Sequence, residues 1–187
     1  MNQRFKFSQT GIKDLFVCER KPIVHDLGSF VRTFCSEEFI EAGLKDPICQ
    51  INQTVTRSKW SVRGMHFQHP PYGETKITTV LSGAVFDVAV DLRRDSPTFL
   101  HWHGQELSAD NKTSLLIPEG FAHGFQTLTD NCEMLYLHTA PYVASSEGAL
   151  NANDPLLAIE WPCRVTQMSE RDQNHPFLTD DFEGVDV

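Results

Sequence analysis

No apolar run in this 187-residue chain approaches the roughly 18 residues that a membrane-crossing helix needs, so no membrane partner is expected. The first residues, Met1 to Phe7, contain no apolar signal core, and a cytoplasmic location is the expectation. Basic excess is also missing. Lys and Arg number 16 against 25 Asp and Glu, the formal charge is -9, and the pI is about 5.3. A phosphate backbone demands a basic face, so nucleic acid is not an expected partner. A diphosphate on a small ligand is not excluded, because a few local Arg or Lys handle it whatever the net charge. Cys18, Cys35, Cys49, Cys132 and Cys163 are scattered, odd in number and lack a C-x-x-C pair. They read as reduced thiols, neither a disulfide framework nor a zinc site. Internal repeats and low-complexity linkers are absent as well, which leaves one domain over residues 1–187. Its polar tail from about residue 179 is expected to fray.

What is present is strand signal. Forty per cent of the residues are apolar, with thirteen Phe, enough for a sizeable core. Lys76 to Leu81 runs into a turn at Ser82-Gly83. Phe86, Val88, Val90 and Leu92 then alternate with Asp87, Ala89 and Asp91. Thr113 to Ile117 stops at Pro118-Glu119-Gly120, and Phe121 to Leu128 and Cys132 to His138 follow. In that last strand Cys132, Met134, Tyr136 and His138 share one face. Helical signal is confined to Ser36–Leu44, with Ser36 as N-cap, and to a turn at Ser169–Asp172. Many short strands with regular turns predict an all-β fold, a jelly-roll barrel with a few short helices.

The segment Arg63-Gly64-Met65-His66-Phe67-Gln68 carries an imidazole, and Lys76 follows ten residues after His66. Jelly-roll barrels of the cupin type hold metals with H-x-H, a Glu and a Gly in a first motif and P-x-G-x-x-H in a second. The second matches Pro118-x-Gly120-x-x-His123. Aligning the first on Gly83 puts Lys76 at the Glu position, and Pro71 or Tyr72 at that of the second His. A cation does not ligate a cation, and a catalytic metal needs about three protein ligands, so no catalytic metal and no cofactor are expected. His101-Trp102-His103 reads as a surface strand, and His69 and His175 as solvated loop residues.

Several long segments in order resemble the dTDP-4-dehydrorhamnose 3,5-epimerase family. They are the His66 segment, Val85 to Arg93, Ser96-Pro97-Thr98-Phe99, Leu107-Ser108-Ala109, Ile117 to Phe125, and Ile159-Glu160-Trp161-Pro162. The resemblance implies a metal-free, cupin-like homodimer. Its reaction would invert carbons beside the C4 ketone of a nucleotide-linked 4-keto-6-deoxyhexose, in deoxysugar biosynthesis for a surface polysaccharide such as O-antigen or for a glycosylated metabolite. It implies His66 as general base, Asp172 of Ser169-x-x-Asp172 as the carboxylate orienting it, and Tyr136 as the group returning a proton on the opposite face. Lys76 would stabilise the enolate oxygen. Inversion needs two acid–base groups, and a proton beside a ketone becomes acidic only if the enolate charge is met. Substrate-binding candidates are Arg63, Gln50, Asn52, His123, Arg32 and Tyr142. Taken singly, Lys76 also reads as a solvated strand lysine, Tyr136 as core and His123 as a buried structural histidine.

Departures from the family pattern cluster near the start. Asp26-Leu27-Gly28-Ser29-Phe30-Val31-Arg32 carries Leu27, Ser29 and Arg32 where Arg, an aromatic and Glu are usual. Cytosine N3 accepts a hydrogen bond whereas thymine N3 donates one, so Arg32 opens a CDP-linked alternative to dTDP. Other competing classes are a metal-dependent cupin, a non-catalytic sugar-nucleotide binder and a related ketoisomerase. Dimerisation through an N-terminal edge around Phe30 to Phe34 is expected.

Overall fold

In a computed structural model, residues 3–187 are described. The N-terminal half contributes strands β1 (Phe5–Gln9), β2 (Phe16–Arg20), β3 (Ile23–His25) and β4 (Gly28–Phe30), helix α1 (Ser36–Glu41), then β5 (Gln50–Thr56), β6 (Val62–Gln68), β7 (Lys76–Ser82) and β8 (Ala84–Asp91). The second half contributes β9 (Trp102–Ser108), β10 (Thr113–Ile117), β11 (Phe121–Thr127), β12 (Cys132–His138), β13 (Glu147–Ala149) and α2 (Glu170–Gln173). Two antiparallel sheets result, in the orders β1-β2-β10-β7-β12-β5 and β13-β6-β11-β8-β9, with β3 and β4 forming a separate hairpin. The fold is the expected cupin-like jelly roll.

Three apolar layers cover the strands on both faces. Between the sheets lie Val80, Val85, Ala89, Leu115, Ile117, Phe121, Phe125 and Met134. The outer face of the five-stranded sheet is covered by Leu150, Leu157, Leu178 and Val185 of the C-terminal segment, packed on Val62, Met65, Val88 and Val90. The outer face of the six-stranded sheet is covered by α1, whose Phe39 is fully buried among Phe5, Ile77, Leu116 and Leu137. Phe39 meets the rings of Phe5 and Phe7 edge-on at 5.0 and 5.1 Å. Truncating it to Ala costs about 3–5 kcal/mol by loss of transfer energy and the cavity left. Because both faces of β8 are covered, it is buried at every position from Asp87 to Asp91, although its sequence alternates.

Three local expectations change. Helix α1 is shorter than Ser36–Leu44, its N-cap is Cys35, and no side chain caps it. Ser169 does cap α2, accepting from Asp172 N at 3.0 Å. The tail does not fray throughout. Val185 N donates to Leu92 O at 2.7 Å, Arg94 N donates to Val185 O at 3.1 Å, and Arg94 pairs with Glu183 and Asp186. A buried Val185 anchors a segment whose composition is otherwise that of a free acidic tail. The N-terminal edge strand ends at Phe30, earlier than Phe34.

Candidate active site

The two sheets leave a cleft of about 200 Å³ between them. Its walls include Asn52, Thr54, Arg63, His66, Gln68, Glu74, Lys76, His123, Tyr136, His138, Tyr142 and Glu147. The five-stranded sheet supplies His66 and His123, which lie opposite one another in the β6–β11 register. The six-stranded sheet supplies Tyr136, paired across strands with Asn52 on β5 and Thr78 on β7.

Glycines bring the first pair of strands together. Gly64 has φ 117°, and a Cβ there would sit 2.6 Å from Gly124 Cα and 2.8 Å from His123 O. Only glycine accepts both that dihedral and that approach. The register shift in β11 falls between His123 and Phe125, at Gly124. The Arg-Gly-x-His and His-Gly-Phe segments are therefore one packing unit that sets His66 into the cleft.

His66 Nε2–H donates to Asp172 Oδ1 at 2.9 Å, an assignment that follows because an ionised carboxylate only accepts. That leaves the Nδ1 lone pair as the basic site of the ring. Asp172 Oδ2 also accepts from Gly64 N at 3.4 Å. Burial alone would raise the Asp172 carboxyl. The hydrogen bond and charge of His66, with those of Gly64 N–H and Ser169, instead hold it well below the usual carboxylate range. An ionised carboxylate behind an imidazole fixes the ring orientation and its tautomer.

Tyr136 is nearly enclosed, and burial pushes its phenol well above the ordinary range, with the Thr54 hydroxyl opposing. Thr54 Oγ1 donates to Tyr136 Oη at 3.4 Å. Two imidazoles flank the ring: His138 stacks at 6.2 Å and His123 meets it edge-on at 6.0 Å. Each is fixed by a carboxylate. His123 Nε2 donates to Asp87 Oδ1 at 2.7 Å, and Thr78 Oγ1 donates to Asp87 Oδ2 at 2.6 Å. His138 Nδ1 donates to Glu74 Oε2 at 2.8 Å. The partner that a buried Asp87 requires is thus His123 together with Thr78.

Lys76 is buried, pairs with Glu74 Oε1 at 3.0 Å and donates to His66 O at 3.4 Å. It is not a solvated strand lysine. Burial works against the Glu74 charge, but His138 and Lys76 outweigh it and hold the carboxyl low.

The structure gathers His66, Tyr136 and Lys76 around one cleft, together with Arg63, Asn52, His123 and Tyr142, and sets Asp172 behind the His66 ring, outside the cleft lining. Gln50 sits at the rim, its Oε1 accepting from Tyr142 N at 3.1 Å. Arg32 does not line this cleft. It donates to Glu38 at 3.1 Å and borders a separate depression with Arg4, Cys35 and Glu37. His175 is not solvated as expected: its side chain is only 14% exposed, and Nε2 reaches Asp172 Oδ1 at 3.2 Å. Neither His101 nor His103 lines the cleft. Sequence reasoning missed Glu74, Thr54, Glu147 and Arg171. It placed His138 on the face of Tyr136 without giving it a role, and that shared face was the available signal.

A jelly-roll barrel holding an imidazole–carboxylate pair and a buried phenol in one cleft defines an acid–base enzyme of the cupin-like class. The family profile described as dTDP-4-dehydrorhamnose 3,5-epimerase matches residues 9–180. The dTDP-4-dehydrorhamnose 3,5-epimerase of Salmonella typhimurium is 41% identical over 172 residues, 91% of this chain and 93% of that protein. A dTDP-6-deoxy-D-glucose-3,5-epimerase of Legionella pneumophila, solved in complex with dTDP-4-keto-L-rhamnose, superposes with TM-score 0.91 at 35% identity, covering 98% of each chain. A 3'-monoepimerase of Streptomyces bikiniensis in complex with dTDP-quinovose gives TM-score 0.83 at 31% identity, covering 90% of this chain and 85% of the other. The chain belongs to the dTDP-4-dehydrorhamnose 3,5-epimerase family.

Proposed function

We propose that this enzyme epimerises C3 and C5 of a dTDP-linked 4-keto-6-deoxyhexose by proton transfer through an enolate. The observation that carries the reading is the pairing of two different proton-handling groups in one cleft: His66 held by Asp172, and a buried neutral Tyr136 from the other sheet. His66 Nδ1 removes the proton beside the C4 ketone. Asp172 meets the imidazolium charge that forms. Lys76, a cation in the cleft wall, stabilises the enolate oxygen, which a fixed cation does without reorganising. Tyr136 returns a proton to the opposite face, and its phenolate is then reprotonated from solvent through the open cleft. Thr54 orients the hydroxyl.

Arg63, Asn52, Gln50, His123 and Tyr142 are proposed to bind the sugar and its diphosphate. The thymidine carrier is preferred over cytidine because Arg32 is engaged by Glu38, away from the cleft. Calorimetric titration with dTDP and CDP tests this choice, and tighter CDP binding reverses it. The reaction itself is tested by incubating dTDP-4-keto-6-deoxyglucose with enzyme in deuterium oxide. Label at both C3 and C5 is expected by NMR. Label at C3 alone would make this a monoepimerase, as in the Streptomyces relative, and none at either carbon would refute the function.

A homodimer in the cytoplasm, serving synthesis of a deoxysugar for surface polysaccharide or a glycosylated metabolite, completes the proposal. Hairpin β3–β4 is exposed throughout, with Leu27 95%, Val24 75% and Phe30 57% accessible, and edge strand β5 exposes Ile51 and Val55. An uncovered apolar hairpin and an unpaired edge strand call for a second chain. Solution scattering showing a monomer would contradict it.

A further inference from the structure

Three potential metal-ligand atoms converge on the back of the His66 ring. His66 Nε2 and His175 Nε2 lie 2.9 and 3.2 Å from the same Asp172 Oδ1, and all three ligand atoms fall within 4.8 Å of one another. The two rings stand perpendicular, with centroids 5.5 Å apart, so their lone pairs can converge from different directions. Tetrahedral zinc, with bonds of about 2.0–2.1 Å, separates its ligand atoms by roughly 3.3 Å, close to the 2.9 and 3.2 Å at which the two imidazole nitrogens stand from Asp172 Oδ1. The loop that presents His175 is fixed at its backbone, because Asn151 Nδ2 donates to both Gln173 O and His175 O at 3.1 Å.

We propose that His66, Asp172 and His175 form an inhibitory site for a borderline divalent transition ion of the zinc type. Two imidazoles and one carboxylate with an open fourth position suit zinc and its neighbours, not magnesium or calcium. Coordination takes the Nε2 lone pair and moves the ring proton to Nδ1. The ring then has no lone pair for the substrate proton, so metal binding and base catalysis exclude each other. This inhibitory consequence rests on the proposed role of His66, whereas the binding does not.

Arg171 guards the site. Its Nη2 lies 3.1 Å from His66 Nε2, and the side chain also pairs with Glu147 at 3.2 Å and approaches Asp172 Oδ1 at 3.8 Å. A guanidinium there repels an incoming cation and must swing outward, which its 55% exposure permits. The ion therefore competes with Arg171 for the dyad.

The test titrates the purified, chelator-treated enzyme with Co²⁺, read by its visible absorption, and with Zn²⁺ by calorimetry. One ion per chain is expected, with nitrogen and oxygen ligation and no thiolate charge-transfer band. His175→Gln, which keeps a donor toward Asp172, should weaken binding by more than the roughly tenfold that losing a supporting partner costs. Arg171→Gln should tighten it. Zn²⁺ should abolish deuterium wash-in by the wild type, and a chelator should restore it. No binding, a thiolate spectrum, or equal affinity in His175→Gln would overturn the site. Binding without loss of wash-in would overturn the inhibition. An enzyme that never washes in deuterium, with metal binding intact, would instead count against His66 as the base.

Discussion

The His66 side chain is 27% exposed and Arg171 beside it 55%, whereas Tyr136 is 9% exposed, His123 6% and Asp87 not at all. The open and closed walls of one cleft therefore differ in solvent contact, and the closed one draws on both sheets: Tyr136 from the six-stranded sheet, His123 and Asp87 from the five-stranded one. On the open wall, a carboxylate kept ionised below its usual range holds an imidazole that remains partly open to solvent. On the closed wall, burial keeps the phenol protonated, and carboxylate-anchored imidazoles hold its ring in place. The lesson is that one residue type alone does not make an acid or a base. His66 stands beside an ionised carboxylate and Tyr136 in a dry pocket, and the roles proposed for them follow from that difference.

The sharpest break in this comparison is His66→Asn. With the base gone, epimerisation should fall about 10⁴-fold, the upper end for a general base, and deuterium wash-in should vanish with it. Tyr136→Phe should separate the walls. Epimerised product should fall roughly 10²- to 10³-fold, while His66 still exchanges the substrate proton on its own face. Loss of wash-in together with product would merge the two roles. Asp172→Asn should lower turnover by about 10²-fold by leaving the ring unoriented and its cation unmet. It should also change the acid limb of stability. A carboxyl depressed in the folded state contributes stability that is complete above its unfolded pKa of about 3.9 and lost as pH falls through the lower folded value. Acid unfolding of the variant should therefore depend less steeply on pH below about 4. Thr54→Val is the mildest change. It removes one hydrogen bond to the phenol, worth about 1 kcal/mol, so turnover should drop by less than about tenfold. A larger loss would mean that Thr54 relays the proton.

Much of the barrel was legible because strands announce themselves locally. The bounds of β10 and β12 match the sequence reading to the residue, since Pro118 and the turn residues that end them act on their own neighbours. His66, Lys76, Tyr136 and Asp172 were legible through motif order. Arg32 was read as a base-recognition residue because its charge is reversed, but a nearby Glu38 takes its guanidinium. His175 and Glu74 were not legible. Asp172 lies only three residues before His175, but nothing nearby says that the same carboxylate is also bound to His66, 106 positions earlier. The packed tail was missed for the same reason, since one buried Val185 among acidic neighbours carries no periodic signal.

By itself, then, the sequence determined the strand pattern, the net negative charge and the residue types available for proton transfer, because each depends on residue chemistry or short-range periodicity. The tertiary structure alone decided which wall is dry. Burial of Tyr136, the clamping of His123 and His138, and the sharing of Asp172 between His66 and His175 arise where two sheets and a distant C-terminal turn meet. Solvent exclusion is a property of that meeting, and it sets the phenol and the carboxylate on opposite sides of their ordinary ranges.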